Sequence, residues 1–295
     1  MDRNILKGWI AAARPRTLPA ALGPIIPGSV LAWSEGKFRG DAVFAASIAA
    51  LLLQISVNVA NDYFDFINGI DTSDRLGPKR AAASGLLSLK SIRTGMIVLT
   101  LLILVPGLYL VYIGGIPVLI IGIASVLSVY LYSAGPFPLS SNALGDLFVF
   151  LFFGPVAVCG TYYVQTLSIS PEIIAYSVSI GMLVTAILVV NNYRDIDTDR
   201  AADKKTLAVV LGRKMMVAEY CFLLFAAYLI PVALVVLSDI SYSILLFIVT
   251  IPLGISLIRD MGGRAQGKEL NKTLAGTAGL SFLFSIFLSL GIFLG

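Results

Sequence analysis

Two groups of side chains in this sequence are spaced to act together. On a helix, Asn58 and Asp62 stand four residues apart and Asp62 and Asp65 three apart, so they share one face, with Asn61 beside them. Asn191, Asp195 and Asp199 repeat the arrangement at i, i+4 and i+8. Both stripes emerge from the end of a long apolar run. A carboxylate facing lipid costs roughly 2.5–3.5 kcal/mol at the centre of a bilayer helix and less near its ends, so both stripes are expected to face a polar cavity between helices. Carboxylates gathered in one cavity repel, and a divalent cation is their natural counter-charge. The chain has no histidine, which removes His-based acid–base catalysis and His-ligated zinc or haem. Oxygen-only donors suit Mg2+, which commonly takes one or two carboxylates and completes its shell from substrate phosphates. The expected metal ligands are Asn58, Asp62, Asp65, Asn191, Asp195 and Asp199. Cationic side chains for the phosphates follow each stripe: Arg75, Lys79 and Arg80 after the first, Arg194, Lys204 and Lys205 within or after the second.

The elements that must position these residues are membrane helices. Of 295 residues, 58% are hydrophobic and only 13% charged, and the mean hydropathy is +0.91. Such a chain belongs in a bilayer. Nine apolar runs are long enough to cross about 30 Å of hydrocarbon: residues 18–33, 42–59, 96–113, 116–133, 143–164, 173–191, 215–237, 242–258 and 274–294. The fold class is therefore all-α and polytopic, read as one domain over residues 1–295. With nine spans, 19 of the 21 basic residues fall on one side, and only Lys37 and Arg39 fall opposite. The positive-inside rule then places the N-terminus in the cytoplasm and the C-terminus outside the cell membrane. That distribution accounts for the net charge of +4 without nucleic acid. Arg14 and Arg16 precede the first apolar run and eight more follow it, so no cleavable leader is expected. Ile5, Leu6, Trp9 and Ile10 share a helical face and read as an interfacial segment. Cys159 and Cys221 lie inside apolar runs as small hydrophobes, with no disulfide expected.

A diphosphate clamped at the mouth of an apolar helical bundle implies a substrate with a charged head and a long hydrocarbon tail, as in a polyprenyl diphosphate. Metal and cations would stabilise the departing pyrophosphate, and aromatic faces would hold an allylic cation. Tyr63, Phe64, Tyr130, Tyr132 and Phe148 are the candidate aromatics. Two other readings of the acids stay open. One is an ion or proton path in a transporter, although transporter carboxylates usually sit near the midplane and these end their spans beside basic loops. The other is a membrane scaffold, which leaves both acidic loops unexplained. Asp146, near the start of the fifth span, either caps that helix or works at the site. Arg14 and Arg16 either anchor a helix start or bind substrate.

The pattern resembles the UbiA superfamily of intramembrane prenyltransferases, whose mark is two Asp-rich motifs ending the second and sixth helices of a nine-helix fold. Asn58-x-x-Asn61-Asp62-x-x-Asp65 is similar to the first motif. Asn191-x-x-x-Asp195-x-x-x-Asp199 is similar to the second, with Asn for its leading Asp. The stretches Arg14-Pro15-Arg16-Thr17-Leu18, Asn68-Gly69-Ile70-Asp71, Asp74-Arg75-Leu76-Gly77-Pro78 and Lys205-Thr206-Leu207 look most like the branch that acts on 1,4-dihydroxy-2-naphthoate in menaquinone synthesis. Asp146 matches an acidic position of that branch, and Ser141 stands where the branch carries Tyr. The resemblance implies Mg2+-dependent prenyl transfer from a polyprenyl diphosphate to an aromatic acceptor within membrane lipid. It implies catalytic roles for Asp62, Asp65, Asp146, Asp195 and Asp199. Substrate contacts are expected from Asn58, Asn61, Asn191, Arg16, Arg75, Lys79, Arg80, Arg194, Lys204, Lys205 and Tyr132. The alternative acceptor is 4-hydroxybenzoate.

Overall fold

A computed structural model describes residues 3–70, 76–78, 80–238 and 240–295, and the side chains of all of these but Arg3. Among the described residues there is no β-strand, only an isolated bridge between Asn142 and Lys205. The chain opens with α1 (Arg3–Ala13), followed by the short α2 (Leu18–Leu22) and α3 (Ile25–Ser34). The apolar run predicted over 18–33 is thus broken in two. Pro24 sits at the junction, its ring removing a donor and fixing the backbone. The long helices follow: α4 (Gly40–Ile67) and α5 (Leu89–Leu131).

α5 is one element in name only. Its 43 residues would extend about 65 Å if straight, twice the hydrocarbon thickness. Gly115 breaks it with φ 67° and ψ −151°, a conformation open to glycine and strained for any residue with a Cβ. Next come α6 (Gly145–Leu151), a wide π turn over Phe152–Cys159 and α7 (Gly160–Thr166). Pro155 lies inside that turn and cannot make the regular helical bond, a common cause of such a bulge. The remaining helices are α8 (Pro171–Ala201), α9 (Leu207–Leu237), α10 (Ile251–Arg259, entered through a 3-10 segment Tyr242–Thr250) and α11 (Leu270–Leu294). Among the described residues, seven helices are long and apolar enough to cross a membrane. The chain is an integral membrane protein.

α8 is the axis of the bundle, with 67% of its apolar stretch buried, whereas α5 is buried over only 22%. The difference follows from the residues. α8 offers small Ser177, Ser179, Gly181 and Ala186 to its neighbours, all but closed to solvent. At the crossing with the π turn, a Cβ on Gly154 would lie 2.6 Å from the Ser177 carbonyl oxygen, so only glycine permits this approach. α5 instead turns Leu101, Val105, Leu108 and Ile116 outward, each more than half exposed, as a lipid-facing surface requires. Three buried hydroxyls on α11 are satisfied along the helix: Thr277 donates to the Thr273 carbonyl at 2.9 Å, Ser285 to Ser281 at 3.0 Å and Ser289 to Ser285 at 2.6 Å.

Candidate active site

The ends of α4 and α8 converge on one cavity of about 660 Å³. Asn58, Asn61 and Asp65 line it from α4, and Asn191, Asn192, Asp195 and Asp199 from α8. Arg14, Arg80, Tyr132, Asp146 and Lys204 complete its polar end. Beyond them the wall turns apolar, through Phe148, Phe152 and Phe153 down to Pro117, Val118 and Tyr163. Along α4 the lining runs from Ala46 to Asp65, about 28 Å at 1.5 Å per residue, close to the hydrocarbon thickness.

The acids are held by specific partners. Asp65, 4% exposed, receives Arg80 Nη2 at 2.8 Å, and that guanidinium is itself 7% exposed. Asp195 takes a two-point contact from Arg194, with Nε at 2.8 Å from Oδ1 and Nη2 on Oδ2. The same guanidinium donates to Asn191 Oδ1 at 2.9 Å and to Asn271 Oδ1 at 2.8 Å. Asn271 in turn donates to the carbonyls of Leu76 at 3.2 Å and Lys268 at 2.9 Å, joining the second stripe to the loop that follows the first. Asn58 Nδ2 donates to the Ala13 carbonyl and to Thr17 Oγ1, both at 3.0 Å, fixing the connection after α1 against α4. Asn61 Oδ1 accepts from Ser133 Oγ.

Several residues expected at the substrate are placed elsewhere. Asp62 is 1% exposed and forms no part of the cavity wall. Its Oδ2 accepts the Ala81 amide at 2.8 Å and its Oδ1 the Ala82 amide at 3.1 Å, so it shapes the loop that carries Arg80. Arg194 is also outside the wall, committed to Asp195 and its neighbours. Arg16 and Lys205 are exposed and do not reach the cavity. Lys205 contributes its backbone instead, donating to the Ser141 carbonyl at 3.2 Å. Arg75 and Lys79 lie outside the described residues. Among the candidate aromatics, Tyr132 and Phe148 line the cavity, and Phe148 stacks on Phe152 with centroids 6.1 Å apart. Tyr63, Phe64 and Tyr130 pack in a separate cluster with Trp9 and Val59.

Two contributions go beyond what the sequence could decide. Of Arg14 and Arg16, both open as anchors or substrate binders, Arg14 lines the cavity and Arg16 does not. The backbone at Arg14 takes φ 50° and ψ 69°, a left-handed conformation rare without glycine, which reverses the chain between α1 and α2. The other is the condition of Asp146: it is 6% exposed, lines the cavity, and neither carboxylate oxygen meets a hydrogen-bond partner among the described residues. A buried carboxyl left without partners is costly and points to a ligand that supplies them.

Among the described residues no group of three acidic, thiol or imidazole side chains forms a ready metal cage. The donor set nonetheless fits Mg2+ shared with a diphosphate. Carboxylates and amide oxygens from two helix ends line one cavity, and phosphate oxygens complete such a shell.

Residues 21–293 match the model of the UbiA prenyltransferase family. The chain is 37% identical to the 1,4-dihydroxy-2-naphthoate octaprenyltransferase of Haemophilus influenzae, over 100% of this chain and 98% of that one. It is 35% identical to the protein of the same name from Escherichia coli, over 96% of each. Solved structures share the fold. A UbiA homolog from Aeropyrum pernix K1 superposes with a TM-score of 0.69 at 16% identity, over 94% of this chain and 97% of that one. A UbiA homolog from Archaeoglobus fulgidus bound to GPP and Mg2+ gives 0.68 at 14% identity, over 98% and 100%. With the family model covering nearly the whole sequence and relatives above 30% identity spanning both chains, this chain belongs to the UbiA prenyltransferase family.

Proposed function

We propose that this enzyme transfers a polyprenyl group from its diphosphate to 1,4-dihydroxy-2-naphthoate with loss of carbon dioxide, giving demethylmenaquinol. The observation that carries the reading is the cavity itself, charged at one end and apolar through the depth of a bilayer, which matches an amphiphile with a diphosphate head and an isoprenoid tail. The acceptor follows the names of the Haemophilus influenzae and Escherichia coli relatives.

In this reading the head group enters between α4 and α8. Asp65, Asp195 and Asp199, with the amides of Asn58, Asn61 and Asn191, are the residues to hold Mg2+. Bound there with the diphosphate, Mg2+ would supply positive charge to offset that of the leaving pyrophosphate. Arg14, Arg80 and Lys204 meet phosphate oxygens as donors. Breaking the allylic carbon–oxygen bond leaves positive charge on the prenyl carbon, which the faces of Phe148 and Tyr132 stabilise. The naphthoate ring carbon bearing the carboxylate attacks that carbon, and the bond to the carboxylate then breaks. Its electrons return to the ring, and no further proton needs to leave. Asp146 orients the acceptor by accepting a hydrogen bond from a ring hydroxyl, which gives its carboxylate the partner it lacks.

The same reading counts nine membrane crossings in one domain. The two halves of α5 on either side of Gly115 make two, and α2 with α3 makes one more beside the six other long helices. The basic loops then face the cytoplasm, the N-terminus with them, and the C-terminus lies outside the cell membrane. The test is a reaction of the purified protein with Mg2+, octaprenyl diphosphate and a panel of aromatic acceptors, followed by mass spectrometry. A prenylated, decarboxylated naphthoate that disappears with chelator supports the proposal. Turnover undiminished by chelator, or prenylated 4-hydroxybenzoate alone, overturns it.

A further inference from the structure

Three glycines in the cavity wall have no local reason to be glycine. Gly107 and Gly122 lie on either side of the Gly115 break in α5, and Gly160 opens α7; all three line the cavity on helical backbone. A Cβ built on any of them would meet nothing within 4 Å among the described residues. They differ in this from Gly154 and Gly181, where the neighbouring helix leaves no room. Glycine weakens a helix relative to alanine, so three such positions facing one space need another explanation.

Their depth supplies it. Gly107 stands eight residues before the break, Gly122 seven after it, and Gly160 six before the end of α7 at Thr166. At 1.5 Å per residue each is about 9–12 Å from that end of the bundle. Tyr163 approaches to 3.5 Å the point where a Gly114 Cβ would stand, which puts the end of α7 beside the turn of α5. The three glycines therefore lie toward that end of the bundle, in the half of the cavity away from Asp65 and Asp199. The space is not a packing fault, because the same cavity receives the buried, unpartnered carboxylate of Asp146.

Resting on the reading that the apolar part of the cavity takes the prenyl tail, we propose that Gly107, Gly122 and Gly160 keep it open in that half. Through that opening the tail passes beyond its first isoprene units, and its width sets the chain lengths accepted. The test is equilibrium binding of geranyl and octaprenyl diphosphate with Mg2+ and no acceptor, so that an error in the acceptor leaves it decisive. It compares wild type with Gly107→Leu, Gly122→Leu and Gly160→Leu. Filling the opening that the tail would occupy should weaken octaprenyl diphosphate roughly ten- to hundredfold. Geranyl diphosphate, which ends above the three glycines, should change by no more than about twofold. Gly279→Leu, equally roomy but on α11 and outside the cavity wall, should change neither. Where a leucine variant does not fold, the corresponding Gly→Ala variant should show the same preference to a smaller degree. Equal weakening of both diphosphates in a folded variant, or undiminished octaprenyl binding in all three, overturns the proposal. Failure of the wild type to bind either diphosphate overturns the tail reading and this inference together, whereas binding without naphthoate turnover overturns only the acceptor.

Discussion

Replacing Asp62 separates shaping the loop from holding the metal. Its two carboxylate oxygens accept the amides of Ala81 and Ala82 at 2.8 and 3.1 Å, in a place only 1% exposed. Asp62→Ala leaves both buried donors without that acceptor, each at about 1–3 kcal/mol, for a total of roughly 2–6 kcal/mol. Against a typical folding stability of about 5–15 kcal/mol, that is a large fraction. The damage spreads to the site through Arg80, the residue before Ala81, whose guanidinium holds Asp65 at 2.8 Å. Asp62→Asn keeps one oxygen acceptor and should lose about half as much. The assay is thermal unfolding in detergent alongside turnover at several Mg2+ concentrations. The expected result is a markedly lower melting temperature for Asp62→Ala, an intermediate one for Asp62→Asn, and reduced turnover that added Mg2+ does not restore. A variant that melts like wild type and recovers turnover in excess Mg2+ would show that Asp62 serves as a metal ligand and refute the loop role.

Arg80→Ala breaks a buried ion pair and should destabilise the protein by about 3–5 kcal/mol, measured by the same melting assay, while weakening diphosphate binding. Asp146→Asn replaces a buried carboxyl that has no hydrogen-bond partner among the described residues, so it should leave the melting temperature unchanged or raised while slowing turnover, which kinetics at saturating substrates will read. Gly115→Ala forces a Cβ into φ 67° and should cost about 1–3 kcal/mol without changing metal dependence, checked by melting and Mg2+ titration. Cysteines placed at Lys204 and Lys37 should react with an impermeant reagent from opposite sides of sealed vesicles; labelling from the same side would overturn the nine-crossing reading.

Helical spacing and hydropathy are local properties, and they brought the site within view. Asp65, Asp195 and Asp199 could be grouped from intervals of three and four residues because each stripe lies on a single helix. The partners of those residues come from distant chain and have no such signal. Asp62 and Asp65 are three residues apart on one helix, yet one meets loop amides and the other faces the cavity; the difference is set by where residues 80–82 return. Arg14 and Arg16 differ in the same way, since the left-handed backbone at Arg14 decides which guanidinium turns inward. Arg194 looked free for phosphate because its pairing with the adjacent Asp195 and with Asn271 depends on how α8 packs near α11. Hydropathy also placed the division between two runs near Gly114 and Gly115, where the backbone of α5 does break.

The central claim, that this cavity joins a polyprenyl tail to a naphthoate ring at the carbon that loses its carboxylate, is tested most directly with carboxyl-labelled 1,4-dihydroxy-2-naphthoate. Purified enzyme is supplied with Mg2+ and octaprenyl diphosphate, and labelled carbon dioxide and prenylated product are counted together. Both should appear in equal amount, and both should stop when Mg2+ is chelated. A prenylated product that retains the label, or an enzyme that leaves the naphthoate untouched while prenylating 4-hydroxybenzoate, would contradict it.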